Sequence, residues 1–342
     1  MKPGVSFLQC LLPCLLIAVL ALPATADELN LYTARHYDVD QQIYDAFTRA
    51  TGIEVNVLQG SSDQLVERIR REGIASPADV LITVDAGRLW RAEQAGILQP
   101  AVSEFLEQRV PAHLRHPDGL WYGFSQRLRL IYYRKGALDP AKVARYEDLG
   151  DPDLGASICI RSSNNIYNQS LIASIIAAHG SEAAQAWARG LVSNMARPPE
   201  GGDTDQLRAL AAGICDIAVA NNYYFRRLAA SADPAERAVV EQLGVILPNQ
   251  DDRGAHVNVG GAGIARHAPN RANAIRFLEF LAADEAQNLF ANGNFEYPVV
   301  ATVAPHAELP AREAIVLDTL AVATLGENNP EAVRVADRAG WR

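Results

Sequence analysis

The stretch "WYGFSQRLRLIYYRK", Trp121 to Lys135, decides how this 342-residue chain is organised. It opens polar and glycine-containing, then settles into a long strand pattern. Such a run reads as a strand that leaves one unit of the protein and enters another. A second crossing of this kind falls near 243–250, beginning with "LGVILP". Two extended crossings join two lobes and leave a cleft between them.

Outward from the crossings, short apolar runs alternate with helix-like segments, which argues for α/β architecture over separate blocks of strand and helix. Strands are predicted over 29–34, 53–60, 78–84, 128–133, 157–161, 215–220 and 243–248. Helices are predicted over 40–52, 62–73, 88–96, 170–180, 181–194 and 270–290. Asp40 and Ser62 mark starts; Gly52, Gly73, Gly96 and Gly180 mark ends. The glycine-rich "NVGGAGIAR" (258–266) reads as a turn, and "ARPPEGGDTD" (196–205) as a surface loop.

The first 26 residues read as an export signal, with Lys2 at the start, an apolar stretch from Leu11 to Leu22 and Ala24-Thr25-Ala26 as a cleavage site. That apolar stretch is shorter than the roughly 20 residues a bilayer span needs. The formal charge of −9 becomes more negative when Lys2 leaves, and no basic stripe appears, so nucleic acid is excluded as a partner. Cys159 and Cys215 remain after cleavage. An oxidising compartment allows them to pair, while a buried free cysteine is an equally ordinary outcome.

Tyrosines stand at three predicted strand-to-helix junctions: His36-Tyr37 in "TARHYDVDQQ", Tyr167 in "IRSSNNIYNQSL", and Tyr223-Tyr224 in "VANNYYFRR". In open α/β sheets, ligands settle beyond the carboxyl ends of strands. Phenolate and imidazole are transition-metal ligands, and anionic oxygen suits a hard ion such as Fe(III). A free phenol, with a pKa near ~10, is neutral at physiological pH; a bound trivalent cation favours the phenolate, and a helix N-terminus adds to that preference. Four phenolates and a neutral His36 around Fe(III) leave one net negative charge, so a cation is expected beside it. Arg227, three residues after Tyr224, can share its helix face. Arg127 and Arg129 share a face of the crossing strand, and period alone does not choose between them.

A tyrosine at a strand end more often packs or caps, and the Tyr132-Tyr133 pair is read as structural. Co-occurrence at three separated junctions favours a metal cleft. The other histidines (113, 116, 179, 256, 267 and 306) show no ligand spacing and are expected at the surface or in satisfied turns. Asp79, Asp85 and Asp216 are isolated carboxylates, and no HExxH, GxSxG, CxxC or P-loop pattern occurs, so an enzyme is not expected. The rival is a binding protein of the same fold for an oxyanion or small organic solute, cradled by Ser162, Ser163, Asn164 and Asn165.

Together "LNLYTARHYDVD", "ADVLITVDAGRLW", "RSSNNIYNQSL", "DIAVANNYYFRR" and "FLEFLAADEAQNLFANGNFEYPV" resemble the periplasmic ferric iron-binding proteins of bacterial ABC importers, in the FutA-like branch. The resemblance runs in order through nearly the whole chain after the signal. It implies a two-lobed, type II periplasmic-binding-protein fold that closes on one iron ion, Fe(III) with Fe(II) left open, and delivers it to an inner-membrane ABC permease. It implies His36, Tyr37, Tyr167, Tyr223 and Tyr224 as ligands, Arg127 and Arg227 beside the metal, and no obligatory anion. A periplasmic monomer is expected, with residues 27–125 and 249–298 in the N-terminal lobe and 126–248 and 299–342 in the C-terminal lobe.

Overall fold

A computed structural model describes residues 27–342; the export signal expected over 1–26 lies outside the described residues. The chain begins with strand β1 (Glu28–Thr33), helix α1 (Asp38–Thr51), β2 (Glu54–Gln59), α2 (Ser62–Glu72), β3 (Val80–Val84), α3 (Ala86–Gln94), β4 (Leu98–Gln99) and α4 (Glu104–Arg109). Then come β5 (Tyr122–Arg134), β6 (Ile158–Cys159), α5 (Ile166–Ser193), α6 (Asp203–Ala211), β7 (Ile217–Asn221), α7 (Asn222–Ala229), α8 (Pro234–Glu241) and β8 (Leu243–Ile246). The chain closes through β9 (Val257–Ala265), α9 (Arg271–Leu281), α10 (Asp284–Asn294), β10 (Tyr297–Pro298), α11 (Val322–Glu327) and α12 (Asn329–Ala339).

The strands form one mixed sheet in the order β2-β1-β3-β9-β5-β7-β6, with β10 and β8 also on β5 and β4 on β9. β5 serves as a ruler along it. Its first part, Tyr122 to Leu128, pairs with β9, and its second part, Arg129 to Tyr133, pairs with β7. Through β3 and β9, Thr33 at the end of β1 lies level with Tyr122; Asn221 at the end of β7 lies level with Arg129. β1 runs parallel to β3 and β7 runs antiparallel to β5, so the two carboxyl ends point toward each other and toward the middle of β5. The residues just past both strands therefore meet. Apolar side chains on both parts of the sheet, among them Leu31, Leu81, Ile131, Val219 and Ile264, are fully buried, each worth about 1.5–3 kcal/mol of transfer free energy.

Two readings from the sequence need correction. Residues 258–266 are not a turn: they fall almost wholly within β9, between β3 and β5. Glycine is required there because neighbours come too close for a side chain. A Cβ on Gly261 would stand 2.6 Å from the Tyr122 carbonyl oxygen, and one on Gly263 2.5 Å from that of Leu120. The helix predicted over 270–290 is two, α9 and α10, because Ala283 leaves the helical region (φ −76°, ψ 155°). The break at Gly180 is observed: α5 is interrupted there by non-helical dihedrals. Cys159 and Cys215 form a disulfide, Cα to Cα 5.8 Å, that ties β6 to the entrance of β7.

Candidate metal centre

The tyrosines stand at three helix starts, two of them closed by a side chain of the same turn and the third pinned by more distant partners. At the β1–α1 junction Asp40 reaches back to accept the Tyr37 backbone N–H at 2.8 Å, closing the first turn without using the phenol. At the β6–α5 junction the Asn165 side chain caps α5 by accepting from the Tyr167 backbone N–H at 2.9 Å. At the β7–α7 junction the Asn222 side chain accepts from Leu128 N and donates to the Phe295 carbonyl, pinning the turn just before Tyr223. None of these contacts uses a phenol.

Those phenols converge. Tyr223 Oη donates to Tyr167 Oη at 3.5 Å. The Tyr37 and Tyr223 rings are 6.2 Å apart edge to face, and those of Tyr223 and Tyr224 are 4.3 Å apart. The His36 ring lies 4.9 Å from that of Tyr37, with the histidine itself exposed at the rim. Arg227, also exposed, reaches from α7 across to Tyr37, its guanidinium carbon 5.3 Å from the ring centre.

The structure separates Arg127 from Arg129. Both are buried, but Arg129 is spent on Asp203, Asn168 and Asn221. Arg127 donates through Nε to Glu296 at 2.6 Å, while its Nη1 and Nη2 have no hydrogen-bond partner. That guanidinium lies 5.7 Å from the centre of the Tyr223 ring. Unpaired buried cationic donors are costly, and beside four phenols they fit a centre where negative charge develops. Burial holds the Tyr223 hydroxyl well above its ordinary value, with Tyr167, Tyr37 and Tyr224 adding to the rise and Arg127 opposing it. Burial raises Tyr37 and Tyr224 as well. Phenols so placed stay protonated until a cation arrives to displace the protons.

Sequence reading missed Glu296, fully buried beside Arg127. Burial opposes ionisation, yet Arg35 and Arg127 outweigh it and hold the carboxyl down at about 2. His256 corrects the expectation for the remaining histidines: it is 2% exposed, its Nε2 has no partner, and burial with Arg253 and Arg129 nearby lowers it to about 3. It lines a small cavity together with Arg127, Arg129 and Tyr167. The three carboxylates are occupied separately. Asp79 accepts from Asn30 and Asn270, Asp216 from Ser157, and Asp85 from Gly87, Ser170 and Asn258. The serines and asparagines of 162–165 are largely used locally. Ser163 donates to the Trp341 carbonyl, Ser162 Oγ accepts from Asn164 N, and Asn165 caps α5. Among the described residues no group of three His, Cys, Asp or Glu side chains is placed to hold a metal, so the phenols are the donor set that the fold brings together.

Residues 42–316 match the family described as bacterial extracellular solute-binding protein. The chain belongs to that family. This solute-binding protein is 50% identical to Iron uptake protein A2 of Synechocystis sp. over 97% of its own length and 95% of the relative's. It is 48% identical to Iron uptake protein A1 of the same organism, over 94% and 89%. Among solved structures it is similar to Trichodesmium FutA in complex with iron and citrate ligands, at 51% identity and a TM-score of 0.88, covering 92% of this chain and 100% of that one. The two-lobed α/β fold expected of a solute-binding protein, and the resemblance to ferric iron-binding relatives, are borne out.

Proposed function

We propose that this solute-binding protein is the periplasmic iron carrier of an ABC importer: a monomer, not an enzyme, that holds one iron ion and delivers it to a membrane permease. His36, Tyr37, Tyr167, Tyr223 and Tyr224 are the proposed ligands, with Arg127 and Arg227 balancing charge. The observation that carries this reading is the convergence of four phenols, from three junctions, around a buried arginine whose Nη donors are unpaired. Tyr37 follows β1, in the proposed lobe of 27–125 and 249–298; the other three phenols follow β6 and β7, in the proposed lobe of 126–248 and 299–342. Only lobe closure completes such a shell, and the metal shifts the population toward closure through contacts the open form lacks. The Ser170 hydroxyl donating to Asp85 at 2.6 Å and Arg91 donating to Gln169 at 3.2 Å are hydrogen bonds that run between the two proposed lobes.

Adding Fe(III) to metal-free protein is expected to produce a visible phenolate-to-iron absorption band at one ion per chain. Tyr223→Phe with Tyr224→Phe removes two anionic donors and is expected to bleach most of the band and weaken iron retention by at least about 100-fold, which corresponds to about 2.7 kcal/mol. A wild type that stays colourless with Fe(III), or a double variant that retains iron as the wild type does, overturns the assignment. Bound metal and protons compete for the phenols, so iron release is expected to rise as pH falls.

A further inference from the structure

Glu296 occupies a position that simple packing does not explain. It sits between α10 and β10, just after Phe295, whose backbone is left-handed (φ 54°). Three sets of contacts fix it. β10 pairs with Ser125 and Gln126 of β5. The Phe295 carbonyl accepts from Asn222, the residue before Tyr223. The Glu296 carboxylate accepts from Arg35 Nη1 and Nη2 at 3.2 and 3.0 Å, Arg127 Nε at 2.6 Å and Ser125 Oγ at 3.1 Å.

The partners of that carboxylate matter more than their number. Arg35 directly precedes His36-Tyr37, pairs with Asp40 at 2.7 Å, and lies 5.2 Å from the Tyr37 ring centre. Arg127 lies against Tyr223. One buried carboxylate is thus shared by the cation that supports the phenol after β1 and the cation that abuts the phenol after β7. Buried ion pairs are poor sources of net stability, because desolvation offsets their attraction. They are good at fixing geometry, because a buried charge tolerates few positions other than the paired one. Holding Arg127 by Nε leaves Nη1 and Nη2 without a hydrogen-bond partner, with the guanidinium carbon 5.7 Å from the Tyr223 ring centre.

We propose that Glu296 is a positioning residue for the iron site: through Arg35 and Arg127 it holds Tyr37 and Tyr223 in the mutual geometry a single ion requires. The proposal rests on the iron reading above and adds a residue outside the ligand set. Glu296→Gln keeps the shape, removes the charge and replaces one acceptor by a donor facing two guanidiniums. Folding is checked by far-UV circular dichroism, and the Fe(III)-loaded protein is then titrated with EDTA. The expected result is a coloured protein whose visible band is shifted and whose half-stripping EDTA concentration falls at least 10-fold. Glu296→Asp, with the charge but not the reach, is expected to lie between; Ser125→Ala, which removes one restraint on the carboxylate, gives a smaller fall in the same direction.

A stability effect alone would lower the melting temperature and leave the band where it is. Folded Glu296→Gln with the wild-type band and EDTA midpoint overturns the proposal. Should that variant fail to fold, unchanged band and midpoint in both Glu296→Asp and Ser125→Ala overturn it equally. A colourless wild type sinks the iron reading and this one together; a coloured wild type with indifferent variants sinks this one alone.

Discussion

His256 shows how a single residue can carry a solution property that no motif announces. In the fold its imidazole is buried, and burial with the nearby Arg253 and Arg129 keeps it neutral down to about 3, against an ordinary value of 6.5. The unfolded chain takes up that proton first, so the folded state loses stability as pH falls from 6.5 toward about 3. Glu296 adds to the loss lower down. Its carboxyl at about 2, against 4.5, stabilises fully above 4.5, and that contribution fades as pH drops toward 2. His256→Gln is expected to flatten the decline in melting temperature between about pH 6.5 and 4, measured by scanning calorimetry; a decline as steep as that of the wild type would assign the proton uptake elsewhere. Neither residue was legible in the sequence, because the burial of a lone polar side chain is decided by remote segments. The tyrosines were legible because their position depends on local structure, a strand end followed by a helix start, which short-range pattern records. Glu296 sits 169 residues from Arg127, and no spacing rule connects them.

At the scale of the element, the strands predicted from β-branched and apolar runs appear within a few residues of where they were placed, as in β1, β2, β3 and β7. β9 escaped because pattern reading equates clustered glycine with a turn, whereas here glycine answers a steric demand from the adjacent chain. The crowding gives a direct test. Gly261→Ala drives a methyl group to 2.6 Å from the Tyr122 carbonyl oxygen, and β9 or β5 must shift to admit it. The expected cost is about 1–3 kcal/mol, read as a lower denaturation midpoint with an unchanged m-value; a variant as stable as the wild type would mean the strand spacing is looser than described. The short helices α6 and α8 were missed. α8 has only eight residues, below the length at which an apolar stripe declares itself, and packing against α7, α6 and β8 sustains it in place of intrinsic propensity.

Across the whole molecule, the sheet does the assembling. Long β5 sets two strand ends facing each other, and the crossing legible in "WYGFSQRLRLIYYRK" joins the three tyrosine-bearing junctions as a feature of the sequence from which that convergence is anticipated. The cysteine bridge bears on the same assembly. By closing a separation of 56 residues it removes chain entropy from the unfolded state, worth roughly 4 kcal/mol for a loop of that size. Cys159→Ser with Cys215→Ser is expected to lower the melting temperature by several degrees, and dithiothreitol should reproduce the effect in the wild type; insensitivity to both would show that the bridge is incidental. The bridge ties the end of β6, which leads on to Tyr167, to the entrance of β7, whose far end leads to Tyr223. Thiols stay apart where glutathione prevails and couple where oxidants do. The bridge is therefore a fastening that an oxidising medium can set and a thiol-rich one undoes, on a pair of strands already joined by their own backbone ladder.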